Sequence, residues 1–308
     1  METKIALLVL YNHRYEKNID KIKAIYKDRF HYVYQLIPFY EGNDPSIIPV
    51  FGSSFYFQIF LSQAYVFLKQ HDFTHYIVVA DDMIINPVIN ENNIFEQMGI
   101  SEEDYFISNL QPLQNHKSRL AWMSNAIKYN VKQRGVEVEN VLPTYGEAIN
   151  KFKEKGFPTG PIPIRYFFRL TYRKGFKYFL FDLKNILFDL PLLFRRKLKY
   201  PTIKAYSDIL LLPQKGMEKF TAYCGAFAST RLFVELAIPT SLILIADKDN
   251  LKTCEDLKLK YGAMWSKQAV DSLSEKYGYS IANLQSNYPS DKLFLHPIKL
   301  SKWTFATE

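Results

Sequence analysis

The sequence predicts an α/β fold in which helices flank a central sheet. Two observations support this prediction. Short runs rich in Val, Ile and aromatic residues alternate with amphipathic segments, and the run over 75–80 is bounded by polar residues on both sides. Runs of this kind are typical of strands buried on both faces, as in a parallel sheet. A chain of 308 residues can bury a full core, as one large domain or two small ones.

The first half of the chain has the strand–helix–strand order of a doubly wound sheet. Its helices are indicated by apolar residues at helical spacing, and its strands by continuous apolar runs. The predicted elements are a strand over 4–11, a helix over 18–27, a strand over 30–38, a helix over 55–69 and a strand over 75–80. The second half predicts strands over 103–110, 209–213 and 240–246, and helices over 119–134, 144–155 and 231–237.

Two adjacent carboxylates, Asp81 and Asp82, follow the strand over 75–80 directly. Open α/β sheets bind their ligands outside the carboxyl ends of the strands, where these acids are expected to lie. Two neighbouring carboxylates share such a site most easily when a cation neutralises them, and Mg²⁺ or Mn²⁺ on a nucleotide diphosphate would do so. The alternative is a turn with two solvated acids.

The positive charge of the chain is concentrated in one segment. Residues 165–204 contain eleven Lys or Arg and two Asp, a local charge of +9 in a chain of net charge +8. Arg165, Arg169, Arg173 and Lys177 recur every four residues, so a helix would place them on one face, with Phe and Leu largely elsewhere. A basic face beside an apolar one predicts contact of 165–200 with a membrane surface. The alternative is a helical pair packed on the core, and we do not expect nucleic acid as a partner.

Three other places carry residues suited to catalysis or binding. Asp208 precedes the strand predicted over 209–213, and Glu235 is isolated in an apolar run. Such an acid either pairs with a base in the core or has a pKa tuned for chemistry. Near the C-terminus, His296 is flanked by apolar residues and Pro297, and Lys299 follows. Imidazole suits Mn²⁺, and a lysine suits phosphate oxygens.

The remaining features restrict the cellular setting. Cys224 and Cys254 are the two cysteines of the chain, which argues against a disulfide framework or a cysteine-based zinc site. The apolar run near the N-terminus is too short for a signal peptide, and no uncharged stretch approaches the length of a bilayer span. We therefore expect a cytoplasmic protein, peripheral at the inner face of the membrane.

These features resemble the GT-A-fold glycosyltransferases. The resemblance lies in the βαβ-type N-terminal half, the apolar strand that ends in the acidic Ala80-Asp81-Asp82, and the C-terminal His296 followed by Lys299. It implies a GT-A-like single domain with a Rossmann-like central mixed sheet and a basic, aromatic helical insertion. The corresponding parts are a nucleotide-sugar-binding half over 1–160, the insertion over 161–204, and an acceptor-binding half with the metal and phosphate tail over 205–308.

The resemblance also implies roles for individual residues. The motif is DxD-like with one acid displaced, so Asp82 and His296 would bind Mn²⁺ or Mg²⁺, and Asp81 would face the ribose or the sugar. The other donor contacts would come from Tyr11, Asn12, Arg14 and Lys299. An inverting enzyme needs a carboxylate base, for which Glu235 and Asp208 are candidates, whereas a retaining enzyme needs none.

The implied function is transfer of a sugar from a nucleotide-diphosphate donor, such as a UDP-sugar, to a saccharide or lipid-linked acceptor in cell-surface glycan synthesis. Two alternatives stay open. A sugar-phosphate nucleotidyltransferase would also use strand-end acids, but residues 8–14 lack its glycine-rich phosphate loop. A non-catalytic membrane adaptor with a degenerate enzyme fold would bind neither metal nor nucleotide.

Overall fold

The computed structural model describes residues 3–116, 122–138, 140–168, 170 and 175–305. Over these residues, helices cover both faces of a seven-stranded mixed sheet, which confirms the predicted α/β class. The strands are β1 (Ile5–Leu10), β2 (Tyr32–Pro38), β3 (Ile47–Val50), β4 (His75–Ala80), β5 (Ile84–Ile85), β6 (Tyr105–Ile107), β7 (Gln111–Pro112), β8 (Ile203–Lys204), β9 (Ile209–Pro213), β10 (Leu251–Lys252), β11 (Gly262–Ala263) and β12 (Phe294–His296). The α-helices are α1 (Ile19–Tyr26), α2 (Gln58–Leu68), α3 (Ile94–Met98), α4 (Met123–Lys128), α5 (Tyr145–Glu154), α6 (Phe176–Asp189), α7 (Gln214–Ser229), α8 (Val234–Ile245), α9 (Lys267–Lys276) and α10 (Ile281–Ser286).

The main sheet has the strand order β10-β6-β9-β4-β1-β2-β3. Strand β9 runs antiparallel to both of its neighbours, and the other adjacent pairs are parallel. The chain moves outward from β1 through β2 to β3, and then returns to the other side of β1 to form β4. The strand order therefore reverses between β1 and β4, which is where open α/β sheets form their ligand crevice.

The sheet separates two apolar layers, which explains why its central strands are apolar at every position. All six residues of β1 are buried. Leu8 packs in the layer that contains α2, α7 and α8, whereas Leu7 packs in the layer that contains α1, α3 and α10. A strand covered on both faces has no solvent side, so its sequence does not alternate between polar and apolar residues.

A second, three-stranded sheet has the order β11-β12-β5. Strand β5 follows directly after the acids that end β4, and β12 pairs with it in antiparallel register, Leu295 opposite Ile84. The amide of Ile298 then donates to the Asp82 carbonyl oxygen at 2.6 Å. This small sheet fixes the C-terminal part of the chain beside the carboxyl end of β4.

Helix α8 corrects the prediction of a strand over 240–246. Nearly all of α8 is buried, so its apolar residues show no periodicity that separates a helix from a strand. Pro239 lies inside the helix, although proline normally ends one. Because Pro239 has no N–H, the carbonyl oxygen of Glu235, four residues earlier, accepts instead from the Ala205 amide at 3.0 Å.

Two other helix predictions are corrected in their bounds. Of the helix predicted over 119–134, α4 covers Met123–Lys128, and residues 117–121 lie outside the described part. The helix predicted to carry four cations on one face is interrupted at Gly175, which has a φ of 123°. Arg165 lies in a short 3₁₀ helix (Ile164–Phe168) and Lys177 in α6, while Arg169 and Arg173 lie outside the described residues.

The helix predicted over 231–237 begins at Val234 and continues to Ile245 as α8, and the strand predicted over 103–110 covers Tyr105–Ile107 as β6. The helix predicted over 144–155 agrees with α5. Helix α5 begins after a capping box between Thr144 and Glu147, and Gly156 follows its end in a left-handed conformation, with a φ of 76°. Cys224 and Cys254 are buried and free. Among the residues that the structure describes, no helix is both long and apolar enough to cross a bilayer.

Candidate functional site

Asp81 lies at the crevice between β1 and β4. Its amide donates to the Leu10 carbonyl oxygen at 2.9 Å, which continues the β1–β4 pairing past the strand ends. The side chain is buried, and its carboxylate accepts from the backbone amide of Asn12 and, at 3.5 Å, from the Asn18 side-chain amide. The loop after β1 thus supplies the polar contacts that hold the first acid.

Asp82 meets His296 through the pairing of β5 with β12. The imidazole Nε2 of His296 lies 3.1 Å from Asp82 Oδ1. The two residues are 214 positions apart, so this contact depends on the small sheet. It brings together the two residues that the sequence analysis assigned to a metal ion.

Asp208 reaches the same place because β9 is antiparallel. The start of β9 lies at the sheet edge where β4 ends, and the Ala80 amide donates to the Asp208 carbonyl oxygen at 3.0 Å. The Asp208 carboxylate lies 3.9 Å from the other imidazole nitrogen of His296, Nδ1. His296 therefore sits between two carboxylates, one near each of its ring nitrogens.

The electrostatics of this acid cluster (Asp81, Asp82, Asp208 and His296) follow from crowded carboxylates in a poorly solvated place. Burial, and then the charge of Asp82, raise the pKa of Asp81 to about 7. Burial also raises the pKa of Asp208. Burial alone would lower the pKa of His296, but the carboxylates of Asp82, Asp208 and Asp81 raise it to about 9. The cluster thus favours any group that adds positive charge.

The acid cluster combines carboxylates with an imidazole, which are donor types that divalent metal ions use. Within the described ranges, no group of three or more His, Cys, Asp or Glu is placed to hold a metal ion. Mg²⁺ is, however, usually held by one or two carboxylates, with phosphate and water as the other ligands. Two neighbouring ligand atoms at about 2.1 Å from an octahedral ion lie about 3.0 Å apart. The observed 3.1 Å between His296 Nε2 and Asp82 Oδ1 is equally the length of an ion-pair contact, as expected for a protonated His296.

Glu235 lies in a second cluster, built with Lys204, Tyr206 and Trp265. Lys204 Nζ is 3.7 Å from Glu235 Oε2 and 4.4 Å from the centre of the Tyr206 ring. The bond between the Ala205 amide and the Glu235 carbonyl holds the two chain segments together. Burial raises the pKa of Glu235, and the positive charge of Lys204 lowers it. The charge of Asp208 also raises it, which shows that the Glu235 carboxylate lies within electrostatic reach of the acid cluster.

The four remaining predicted contacts lie in different surroundings. Tyr11 is fully buried and its hydroxyl donates to Gln35 Oε1 at 2.6 Å, so it belongs to the core beneath the site. Asn12 contributes its backbone amide, as described above. Arg14 is on the surface, paired with Glu16 and Glu41. Lys299 is exposed at the C-terminal tail, within electrostatic reach of Asp271.

Comparisons with models of protein families, with curated proteins and with solved structures found no match for this chain. The geometry of the site is therefore the evidence for its function.

The sequence analysis missed three residues of the site. Asn18 accompanies Asp81, and Lys204, counted there with the basic segment, is instead buried beside Glu235. Trp265 is 51% exposed and lies 4.3 Å from the Tyr206 ring, at an interplanar angle of 31°. The sequence around Trp265 (YGAMWSK over 261–267) carries no signal that could have identified it, because its exposure is a property of the folded chain.

Proposed function

We propose that this protein is a glycosyltransferase that transfers a sugar from a nucleotide-diphosphate donor to a saccharide or lipid-linked acceptor. The observation that carries the proposal is the convergence of Asp81, Asp82, Asp208 and His296 outside the carboxyl ends of β1 and β4. These residues come from distant parts of the chain and meet where the strand order reverses. The mixed sheet and the small sheet beside Asp82 support the resemblance to GT-A-fold enzymes.

Asp82 and His296 would hold Mn²⁺ or Mg²⁺ on the donor diphosphate. When bound, such an ion supplies the positive charge that stabilises a diphosphate leaving group. Asp208 lies 3.9 Å from the opposite imidazole nitrogen, so it attracts a protonated His296 electrostatically without a hydrogen bond to the ring. Because the pKa of His296 is about 9 beside these carboxylates, its proton must leave before Nε2 can bind a metal.

Asp81 would accept hydrogen bonds from a hydroxyl of the ribose or the sugar, since its carboxylate lies at the crevice. A UDP-sugar is the donor class we expect. The loop after β1 would contact the nucleotide through the backbone of Asn12, whereas Arg14 would first have to exchange its pairing with Glu16 and Glu41.

Glu235 is the base that we propose for an inverting reaction. Burial raises the pKa of its carboxylate, which strengthens it as a proton acceptor, and Lys204 keeps it oriented. Asp208 remains the second candidate, but its place beside His296 suits a positioning role. The exposed ring of Trp265 offers an apolar face on which an acceptor sugar would stack. Such an acceptor would belong to a cell-surface glycan.

The proposal is tested by thermal unfolding with a panel of nucleoside diphosphates, with and without Mn²⁺. A ligand at a hundredfold its Kd stabilises the folded state by about 2.7 kcal/mol, which shifts the melting temperature measurably. We expect a Mn²⁺-dependent shift with one nucleotide, lost in Asp82→Ala and kept in Asp20→Ala, an exposed acid of α1. Without a shift for any nucleotide, the protein is better explained as a non-catalytic adaptor.

A further inference from the structure

Helix α6 has its polar and apolar faces reversed relative to a helix of a water-soluble surface. Asp182 and Asp189, seven residues apart and so on one face of the helix, are both buried. Asp189 accepts a hydrogen bond from the Ser124 hydroxyl at 2.6 Å. In an ordinary amphipathic helix the acids would face water and the apolar side chains would face the core.

The apolar side chains of this segment point outward. Phe176 is 75% exposed, Leu187 60%, Phe188 70% and Phe194, just beyond the helix, 92%. Phe179 and Leu183 are also exposed on the turns between them. When several large apolar side chains are exposed together on a folded protein, they mark a site that binds another protein or a membrane.

Exposed cations accompany the outward apolar side chains. Lys177 and Lys184 are exposed on α6 itself, and Arg195, Lys197 and Lys199 are exposed in the segment that follows. A second copy of this face would bring these charges against their equals, which disfavours self-association. An anionic lipid surface would complement them and accept the apolar side chains.

We propose that α6 and the segment through Phe194 lie in the interface of a membrane that contains anionic lipids. The outward Phe and Leu side chains enter the acyl boundary, the flanking cations contact the head groups, and Asp182 and Asp189 face the protein. The helix has 14 residues, or about 21 Å, so it lies in the plane of the membrane and does not cross it. This inference rests on residues apart from the acid cluster and stands without the proposed reaction.

The test is sedimentation of the full chain with two kinds of vesicle, phosphatidylcholine alone and phosphatidylcholine mixed with phosphatidylglycerol. We expect strong binding to the anionic vesicles, weakened by salt because the head-group attraction is screened. The apolar variant is Phe176→Ser combined with Leu187→Ser and Phe194→Ser. These side chains are largely exposed, so the variant should fold, and its partitioning should fall at least about tenfold for each side chain that enters the acyl region.

The matched control is Phe51→Ser, an exposed aromatic at the end of β3, which should bind as the wild type does. The charge variant, Lys177→Glu with Lys184→Glu, should lose affinity for the anionic vesicles by at least about fivefold per cation removed. Its weak binding to neutral vesicles should stay unchanged.

Two results would overturn the inference. One is sedimentation of the apolar variant equal to that of the wild type. The other is a wild-type protein that does not bind anionic vesicles and is a dimer by light scattering, while the apolar variant is a monomer. In that case a second copy of the chain would cover the apolar face. Nucleotide-dependent melting shifts, measured on the same variants, would show whether the transferase proposal holds independently of the outcome here.

Discussion

The acid cluster predicts that the metal-free protein carries a cost in stability at Asp81, which Asp81→Asn removes. Asp81 is 5% exposed, and burial and then Asp82 raise its pKa from 3.8 to about 7. That difference corresponds to a cost of about 4 kcal/mol for ionising this carboxylate in the folded state. Hydrogen bonds that the asparagine cannot reproduce will reduce the gain, so the figure is an upper bound.

The sign of the effect follows from proton linkage. Between pH 3.8 and about 7 the folded protein holds a proton on Asp81 that the unfolded chain has lost, so stability falls as pH rises through this window. Above about pH 7 the full cost is present. We therefore expect urea unfolding in EDTA to show that the free energy of unfolding of Asp81→Asn rises relative to that of the wild type as pH increases over this range. Above about pH 7 the difference should stay constant.

The exposed acid Asp20 provides the control, because Asp20→Asn should follow the wild type at every pH. Adding Mn²⁺ with nucleotide should narrow or reverse the advantage of Asp81→Asn, since the wild-type charge is then compensated. A difference in stability between Asp81→Asn and wild type that does not change with pH, or one that shrinks as pH rises without metal, would refute the reasoning.

Three further predictions follow from the site and the sheet. His296→Gln should weaken Mn²⁺-dependent nucleotide binding by about 10- to 100-fold in calorimetric titrations while metal-free binding changes little. Glu235→Gln should lower kcat by about 10²- to 10⁴-fold without raising the KM of the donor, and a larger loss in Asp208→Asn would instead make that acid the base. Burial lowers the pKa of His75, whose ring also contacts the Glu102 carbonyl, so the contribution of His75 to stability should be lost as pH falls below 6.5. The urea midpoint of the wild type relative to His75→Gln should therefore decline in that range, and a difference that does not change with pH would contradict this.

The five inner strands of the central sheet could be predicted from the sequence because they are local patterns, whereas its short edge strands β3 and β10 were not predicted. The run over 75–80 is apolar on both faces, and such a run bounded by polar residues has few other outcomes. Helix α8 shows where this reasoning stops. A buried helix and a buried strand are equally apolar, so the run over 240–246 did not show that it continues a helix. The bond from the Ala205 amide to the Glu235 carbonyl, which lets Pro239 stand inside α8, is a long-range contact.

The acids and the histidine of the candidate site were predictable as residues, but their contacts were not. The acids after β4 and before β9 are visible as polar residues beside apolar runs, and His296 stood out by its apolar neighbours. Their meeting depends on the antiparallel direction of β9 and on the pairing of β5 with β12, which are long-range events. Lys204 is a second example of a contact that the sequence does not show. Its charge and position assigned it to the basic segment, whereas its burial beside Glu235 depends on tertiary packing.

The direction of β9 has one more consequence. Because β9 starts at the site, the chain arrives there directly from the exposed segment that ends near Arg195, and 13 residues separate Arg195 from Asp208. A fully extended chain of that length spans at most about 45 Å, so the cleft cannot lie farther than this from the surface on which α6 rests. If that surface is a membrane and the proposed transfer holds, an acceptor anchored in it must present its reactive end within about 45 Å of the lipid to reach the cleft.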